Sequence, residues 1–572
     1  MSPAHHVVTN LWARTACSYT MELIPPSIST SSIRKDDRSR SGCQKCRENK
    51  VKCDEAHPRC GRCTRLDREC DYTSCPRKKY TRKDKSHYHP SPSAESDHPR
   101  SIQGRLSSEA SSPVGPPSSV FPESARVLSP LDHTAIDYFR FTLPTLVDRK
   151  PPEHSGPAIV WALAERDPMV MHSVCALAGR KLGESDVFPA DEAQERLSLA
   201  VEHYAAGLRQ LQGAVQYDRC SEINFILATL WLMMAYEQQF GDGCGIGLSA
   251  HLQAAASMLR GRLRQDLEDL LTRGEGGGWL QEALDIEGAI SSLTCRLIVW
   301  IALIDGGAAI NGLGGAFNKL LGECLFDQEK GSIISRLKGF NALQRRSDMI
   351  NGEVLDPMYS QGQLVEDLQS SHLFCLQAES GQLRFILSEL ATAVSVSADD
   401  LETQIDATGS AICDVGSRYS ELLRTARLLN LQEVDFPSQT RFVINLRFIA
   451  SLYHAVVLCF LRISNQTAAL ASKQRRALRE IMSLSSKAHR DQGDQGMIRF
   501  AWPLFVAALE SDDMIHRSWI LERYDALAAR SENFRRARNA LHVAFREQEI
   551  NGLQIVYTEL VRRGDIDRFV IE

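Results

Sequence analysis

The chain has 572 residues, 43% of them hydrophobic and 24% charged, a composition that suits a soluble globular protein and excludes a low-complexity or collagen-like one. Its net charge of −5 is partitioned: residues 41–85 hold 14 Lys/Arg against 7 Asp/Glu, a local +7, so the remainder must carry −12. A basic segment on an acidic body points to a polyanion as the partner of that segment alone.

In chain order, residues 1–40 show no sustained periodicity and include the Pro/Ser/Thr stretch Pro25–Ser32, which predicts a disordered tail. Met1–Pro26 lacks a continuous apolar core, so no secretory signal is expected. Residues 41–72 form a cysteine module in two copies, Cys43-x2-Cys46-x6-Cys53 and Cys60-x2-Cys63-x6-Cys70, each cysteine of the second lying 17 residues after its counterpart. Residues 73–130 comprise a basic strap, Cys75–Lys85, and a Ser/Pro-rich linker. No sustained apolar heptad follows the module, so no dimerising coiled coil is visible.

Residues 131–572 read as one large helical region. Asp137–Leu146 offers Tyr138, Phe139, Phe141 and Leu143 before Pro144, and Glu195–Leu211 places Leu197, Leu199, Val201, Tyr204, Leu208 and Leu211 at mostly three- and four-residue spacings. Ile223–Tyr236 is apolar nearly all round, as a buried central helix should be, and similar stretches recur at Leu293–Ile304, Phe442–Leu461 and Met497–Leu509. Glycine-rich breaks are expected at Gly241–Gly247, Gly274–Gly278 and Gly306–Gly315. The most apolar runs, Ile223–Tyr236 and Leu452–Leu461, are too short to span a bilayer. Trp231, Tyr236, Trp300 and Trp502 read as core rather than a ligand box, Glu237 as an exposed helix end in preference to a buried carboxylate facing a ligand, and His251 as structural. Cys175, Cys295 and Cys459 read as small buried hydrophobes, which fits a reducing, intracellular setting.

Catalytic signatures are missing. The glycines of Gly306–Gly315 lack the Gly-Lys-Ser/Thr of a phosphate loop and follow a helix rather than a strand, so a helix-to-helix turn is the better account. There is neither a Gly-x-Ser-x-Gly elbow nor a His-Glu-x-x-His site, and the chain is read as a non-enzyme.

The cysteine module carries the chemistry. Zn²⁺ favours four thiolates in a tetrahedron, and such a closed shell is structural. Six cysteines complete two shells only if two are shared, and the duplicated spacing makes Cys43 and Cys60 the natural sharers. One ion would take Cys43, Cys46, Cys53 and Cys60, the other Cys43, Cys60, Cys63 and Cys70. A segment this short has no adequate apolar core, so two Zn²⁺ ions would supply its folding energy. A RING or LIM module would recruit histidine, yet only His57 lies inside and it is off any ligand spacing; a disulfide knot would need a secreted context.

This arrangement, with Asp54 after the third cysteine and Pro58 before the fourth, resembles the fungal zinc binuclear cluster (Zn2Cys6) family of transcription factors. The resemblance implies two short helices, each starting after a Cys-x2-Cys pair, with the first entering the major groove and the residues between the second and third cysteines meeting a CGG-type triplet. Here these are Arg47, Glu48, Asn49, Lys50, Val51 and Lys52. Lys50 is the best candidate base reader, because a cation suits the O6/N7 acceptors of guanine; Arg47 and Lys52 suit phosphates. Asn49 departs from the family pattern, where a basic residue is usual, and leaves the triplet open. Arg77, Lys78 and Lys79 of the strap suit a nuclear import signal, a DNA-backbone arm, or both, against the plainer reading of a solubilising tail.

The helical region is similar to the fungal-specific transcription factor domain, through Tyr138-Phe139…Leu143-Pro144, Leu227–Trp231 with Tyr236-Glu237, His251–Ala255 and Trp502–Phe505. The resemblance implies a helical regulatory domain. The fold class expected is therefore mainly α: a small binuclear zinc cluster, a disordered linker and a large all-helical regulatory domain. The expected function is zinc-dependent, sequence-specific reading of double-stranded DNA in the nucleus, regulating RNA polymerase II transcription. Self-association, other transcription regulators and a small-molecule effector stay open as partners, as do a repressor role and a purely scaffolding body; no membrane partner is expected.

Overall fold

The computed structural model describes residues 45–46, 56, 59–66 and 70 of the cysteine module, and residues 128–571 apart from 145–149, 186, 217–222, 273–289, 326–331, 351–358, 397–399, 435, 465–470 and 553. The chain divides into two units, one over Glu22–Ser119 that holds the module and one that holds the helical body. Helix dominates, and no strand occurs among the described residues. The expected tail over 1–40 and the strap and linker up to residue 127 lie outside them.

Among the described residues the module contributes one complete short helix, α1 (Gly61–Arg65), with Lys45 and Cys46 also helical. α1 is capped by Cys60 and so starts within the Cys-x2-Cys pair rather than after it. The body begins at α2 (Pro130–Asp137), started by a capping box in which Ser129 and Asp132 satisfy each other's backbone N–H, with Pro130 preset for the first turn. It runs on through a π-turn at Tyr138–Thr142 before Pro144. That widening shifts the helical phase: Tyr138 and Phe139 are buried, whereas Phe141, expected inside, is 57% exposed under the Arg140 guanidinium.

There follow α3 (Gly156–Ala164), α4 (Pro168–Gly183), α5 (Ala190–Gln216), α6 (Ile223–Phe240) and α7 (Ile246–Thr272). Then come α8 (Ser292–Ala309), α9 (Ala316–Leu325), α10 (Ile333–Asp348) and the long α11 (Gln361–Val396). The C-terminal part holds α12 (Leu401–Arg418), α13 (Ser420–Leu428), α14 (Pro437–Ser464) and α15 (Ser472–Gly496). It closes with α16 (Ala501–Glu510), α17 (Met514–Ala528), α18 (Glu532–Asn551) and α19 (Tyr557–Arg563). Caps mark many starts, among them Ser155, Asp167, Ser291, Ser332, Asp513 and Ser531.

Two apolar cores organise these helices. The first gathers residues from Ala135 to Leu343, with α6 and α8 at its centre; the second gathers residues from Ile310 to Ile571 around α11, α14 and α16. α11 joins them, since Ala378 belongs to the first core and Leu373 and Leu383 to the second. The C-terminal segment joins them again: Val570 enters the first core, Phe569 and Ile571 the second. Asn533 holds Val570 by two hydrogen bonds, and Arg384 donates to the Ile571 carbonyl at 2.7 Å.

The glycine break expected from Gly306 is shorter than read. α8 continues through Gly306 and Gly307 to Ala309, because a Cβ on Gly306 would come within 3.0 Å of the Gly381 carbonyl of the crossing α11. The turn itself uses Gly312 and Gly315, both at positive φ, and the buried Asp305 accepts from the backbone N–H groups of Gly315 (2.7 Å) and Asn318 (2.9 Å) to start α9. Gly274–Gly278 lies outside the described residues.

α8 and α14 are long and apolar enough to cross a membrane, more than the short runs in the sequence suggest. Both are mostly buried in the cores, and α14 carries the buried polar residues Asn445, Arg447 and Arg462, which marks it as a core helix.

Candidate zinc centre and nucleic-acid interface

Among the described residues of the module the buried side chains are thiols. Cys46, Cys60 and Cys63 are at most 3% exposed and form the unit's buried cluster among the described residues, with Cys70 packed against them. The sequence folds this way locally because Cys60 sits extended at the start of α1 and its Sγ accepts from the Cys63 N–H at 3.4 Å. Thr64 Oγ1 donates back to the Cys60 carbonyl at 3.1 Å, and the Cys60 N–H donates to Cys70 Sγ at 3.2 Å.

The spacing of sulfurs discriminates between chemistries. Cys46 Sγ and Cys60 Sγ are 3.8 Å apart. A disulfide requires about 2.05 Å. A tetrahedron of Zn–S bonds of about 2.3 Å has edges of about 3.8 Å. The Sγ atoms of Cys46, Cys60 and Cys63 all lie within 4.8 Å of one another, so the donor set fits a thiolate-bound zinc ion. Cys60 is the meeting point, contacting Cys46 from the first repeat and Cys63 and Cys70 from the second.

Of the predicted site residues, Cys43, Cys53, Arg47, Asn49, Lys50, Lys52, Arg77, Lys78 and Lys79 lie outside the described residues. The structure adds three cations that sequence reasoning passed over. Arg59, Arg62 and Arg65 are exposed at the start of α1 and along it, and their only signal in the sequence was the local excess of positive charge.

The body brings together polar groups that apolar periodicity could not find. α5 turns inward Arg196, Ala200, His203, Tyr204, Gly207 and Leu211, while Leu197, Leu199 and Val201 are only half-buried. His203 Nε2 lies 2.9 Å from Asp132 Oδ1, and its Nδ1 lies 2.8 Å from His172 Nδ1. Burial alone would raise the Asp132 carboxyl, but the hydrogen bonds with His203 and Ser129 outweigh it and hold the group at about 2. Beside this, Tyr204 Oη donates to Glu237 Oε1 at 2.6 Å and lies 2.8 Å from His251 Nε2. Burial raises Glu237 and lowers His251 to about 4. Glu237 is therefore not the exposed helix end expected of it, because Tyr204 from α5 covers the last turns of α6.

Tyr236 and Trp502 are buried, whereas Trp231 and Trp300 are half-buried and pack ring to ring at 4.9 Å. Trp502 also lines a cavity with Phe505, Tyr557 and the Arg462–Glu510 pair, whose guanidinium and carboxylate meet at 2.7 Å while both are nearly inaccessible. Its volume of about 40 Å³ suits a water or two rather than a metabolite.

A duplicated thiolate site beside exposed arginines, together with a large helical body, defines a metal-organised nucleic-acid-binding protein with a helical second region. Comparison with known proteins gives the family. Residues 41–80 match the fungal Zn(2)-Cys(6) binuclear cluster domain, and residues 119–570 match the fungal specific transcription factor domain. The chain belongs to the fungal Zn2Cys6 transcription factors.

Curated relatives resemble it in one short stretch. Over 41 residues it is 46% identical to a Zn(2)-C6 fungal-type transcription factor of Gibberella zeae, covering 7% of this chain and 8% of that one. Over 51 residues it is 45% identical to sterol uptake control protein 2 of Candida albicans, covering 8% and 7%. Over 44 residues it is 50% identical to transcription factor lfc1 of Flammulina velutipes, covering 7% and 16%. The chain thus spans less than a fifth of the length of these relatives. No solved structure matches it.

Proposed function

We propose that the protein is a nuclear, sequence-specific regulator of RNA polymerase II transcription whose DNA reader is folded by two Zn²⁺ ions. The observation that carries this reading is the 3.8 Å separation of Cys46 and Cys60 sulfurs, with Cys63 in the same buried cluster. That spacing supports the bridged arrangement in which Cys43 and Cys60 each serve both ions, and Cys46, Cys53, Cys63 and Cys70 each serve one. In this reading Lys50 meets the guanines of a CGG-like triplet and the Asn49 amide donates to a base edge, while Arg47, Lys52 and the strap cations Arg77, Lys78 and Lys79 hold the phosphates. The division that goes with this reading is a tail over 1–40, the DNA reader over 41–72, a strap and linker over 73–130 and the helical body over 131–572. The body then receives a signal or a protein partner and performs no catalysis.

The test is Cys60→Ala in the full-length protein, read by bound zinc and by binding to CGG-containing DNA. Removal of a shared ligand is expected to disrupt both metal sites and abolish binding. Undiminished zinc with normal binding would refute the bridge. Lys50→Ala is expected to cost roughly 1–3 kcal/mol of discrimination between the triplet and its mismatches. An equal loss on random DNA would reassign Lys50 to a phosphate.

A further inference from the structure

The helical body contains a second cluster of metal-ligating side chains, separate from the cysteine module in sequence and carried on three helices. Asp132 on α2, Cys175 on α4 and His203 on α5 are each at most 5% exposed, and their donor atoms all lie within 4.8 Å of one another. We propose that Asp132 Oδ1, Cys175 Sγ and His203 Nε2 form a structural zinc site of the body, clamping its first helix onto the two behind it.

Four observations support the assignment. Carboxylate, thiolate and imidazole are the three side-chain donors that zinc accepts, and three protein ligands leave one position for water. The ligands are oriented from behind: His203 Nδ1 is held by His172 Nδ1 at 2.8 Å, and Asp132 Oδ2 accepts from the Ser129 N–H and hydroxyl at 2.8 and 2.9 Å. Such outer partners are the usual supports of metal ligands. One carboxylate and one thiolate balance a dication, so a bound ion would leave the buried site neutral. Finally, Cys175 is outside the Asp132–His203–His172 hydrogen-bond relay, so a purely hydrogen-bonded relay gives no reason for a thiol at that point. The geometry is close to that required. His203 Nε2 and Asp132 Oδ1 are 2.9 Å apart. They need only open to the edge of about 3.3 Å set by metal bonds of about 2.0 Å.

The experiment uses the full-length chain with Cys43, Cys46, Cys53, Cys60, Cys63 and Cys70 all replaced by serine, so that the module contributes no thiolate zinc. Purified under zinc-replete conditions and dialysed against metal-free buffer, this chain is expected to retain one zinc per molecule by elemental analysis. Adding Cys175→Ser is expected to take it to none while the helical circular dichroism is kept. Zinc is also expected to raise the thermal midpoint of the six-serine chain and not that of the chain with Cys175→Ser. A folded six-serine chain without zinc would overturn the proposal, and so would one zinc that survives Cys175→Ser. Should Cys175→Ser unfold the body, Asp132→Asn provides the second variant with the same expected loss of the ion. Failure of the DNA-reader assignment would show separately, as no difference in zinc between the native chain and the six-serine chain.

Discussion

Among the described residues of the cysteine module the side chains withdrawn from water are Cys46, Cys60 and Cys63, with Cys70 against them, whereas the body withdraws aliphatic and aromatic side chains into two cores. Charged groups enter the body's interior with partners, some as ion pairs (Arg462–Glu510, Arg447–Asp491) and others on neutral groups, as Asp305 on backbone N–H donors. Thiols bury too little surface to hold a fold by the hydrophobic effect, so the module's structure depends on the metal that joins them. The body's cores need no such condition. One chain therefore holds one unit whose folding can be switched off by removing an ion and another whose two apolar cores keep it folded, with the zinc proposed for Asp132, Cys175 and His203 adding to its stability rather than making its fold.

The largest test of that contrast is removal of the module's metal. Structural zinc is worth about 10–16 kcal/mol to a small thiolate domain near neutral pH. Cys60→Ala is expected to eliminate DNA binding while helical circular dichroism and the main thermal transition stay in place. Chelation is expected to eliminate DNA binding and keep the helical signal, but to lower that transition by also stripping the ion proposed for Asp132, Cys175 and His203. Collapse of the helical signal together with DNA binding would break the comparison.

The converse perturbation is Arg462→Leu, which strands Glu510 in the second core beside Trp502 and Phe505. Breaking one side of a buried ion pair costs about 3–5 kcal/mol. The urea midpoint of the body is expected to fall accordingly, with DNA binding by the module unchanged below the new transition. A smaller term is tied to pH. His251 is held neutral by burial, at about 4 against an ordinary 6.5. Above pH 6.5 it is uncharged in both states and contributes nothing. As pH falls towards 4 the unfolded chain takes the proton first, and about 3 kcal/mol of body stability is lost. Urea titrations followed by helical circular dichroism should show this slope, and His251→Gln should remove it.

The sequence made the two units legible for different reasons. The module was readable because metal ligation fixes residue type and spacing together, and Cys46, Cys60 and Cys63, which that spacing singles out, lie together in the structure. The body was readable as helix because apolar residues recur at helical spacing, and Ile223–Phe240, Ser292–Ala309 and Pro437–Ser464 are helices where that pattern is strongest. Its polar interior was not readable. Arg196 and His203 on α5 face inward at positions that a count of apolar residues passes over; Arg196 pairs with Glu192 one turn earlier, and the partners of His203 lie on other helices. Glu237 was misread for the same reason, since the residue that covers it, Tyr204, is 33 positions away. The burial of Gly306 inside α8 depends likewise on the distant Gly381 carbonyl.

The smallest effect expected is local and lies at the start of the body. Ser129 Oγ accepts from the Asp132 N–H at 3.2 Å, while the Ser129 N–H donates to Asp132 Oδ2 at 2.8 Å. Ser129→Ala removes the first bond together with the hydroxyl's own donation to Asp132 Oδ2, and leaves one N–H of α2 without its cap, a loss of about 1 kcal/mol. Ser129→Thr should restore most of it, because the hydroxyl returns. The urea midpoint of the full-length chain is the readout, and DNA affinity should not change in either variant. A Ser129→Ala loss several times larger would show that the capping box also holds Asp132 for His203, and that the first helix of the body is anchored through its side chains more than through its own backbone.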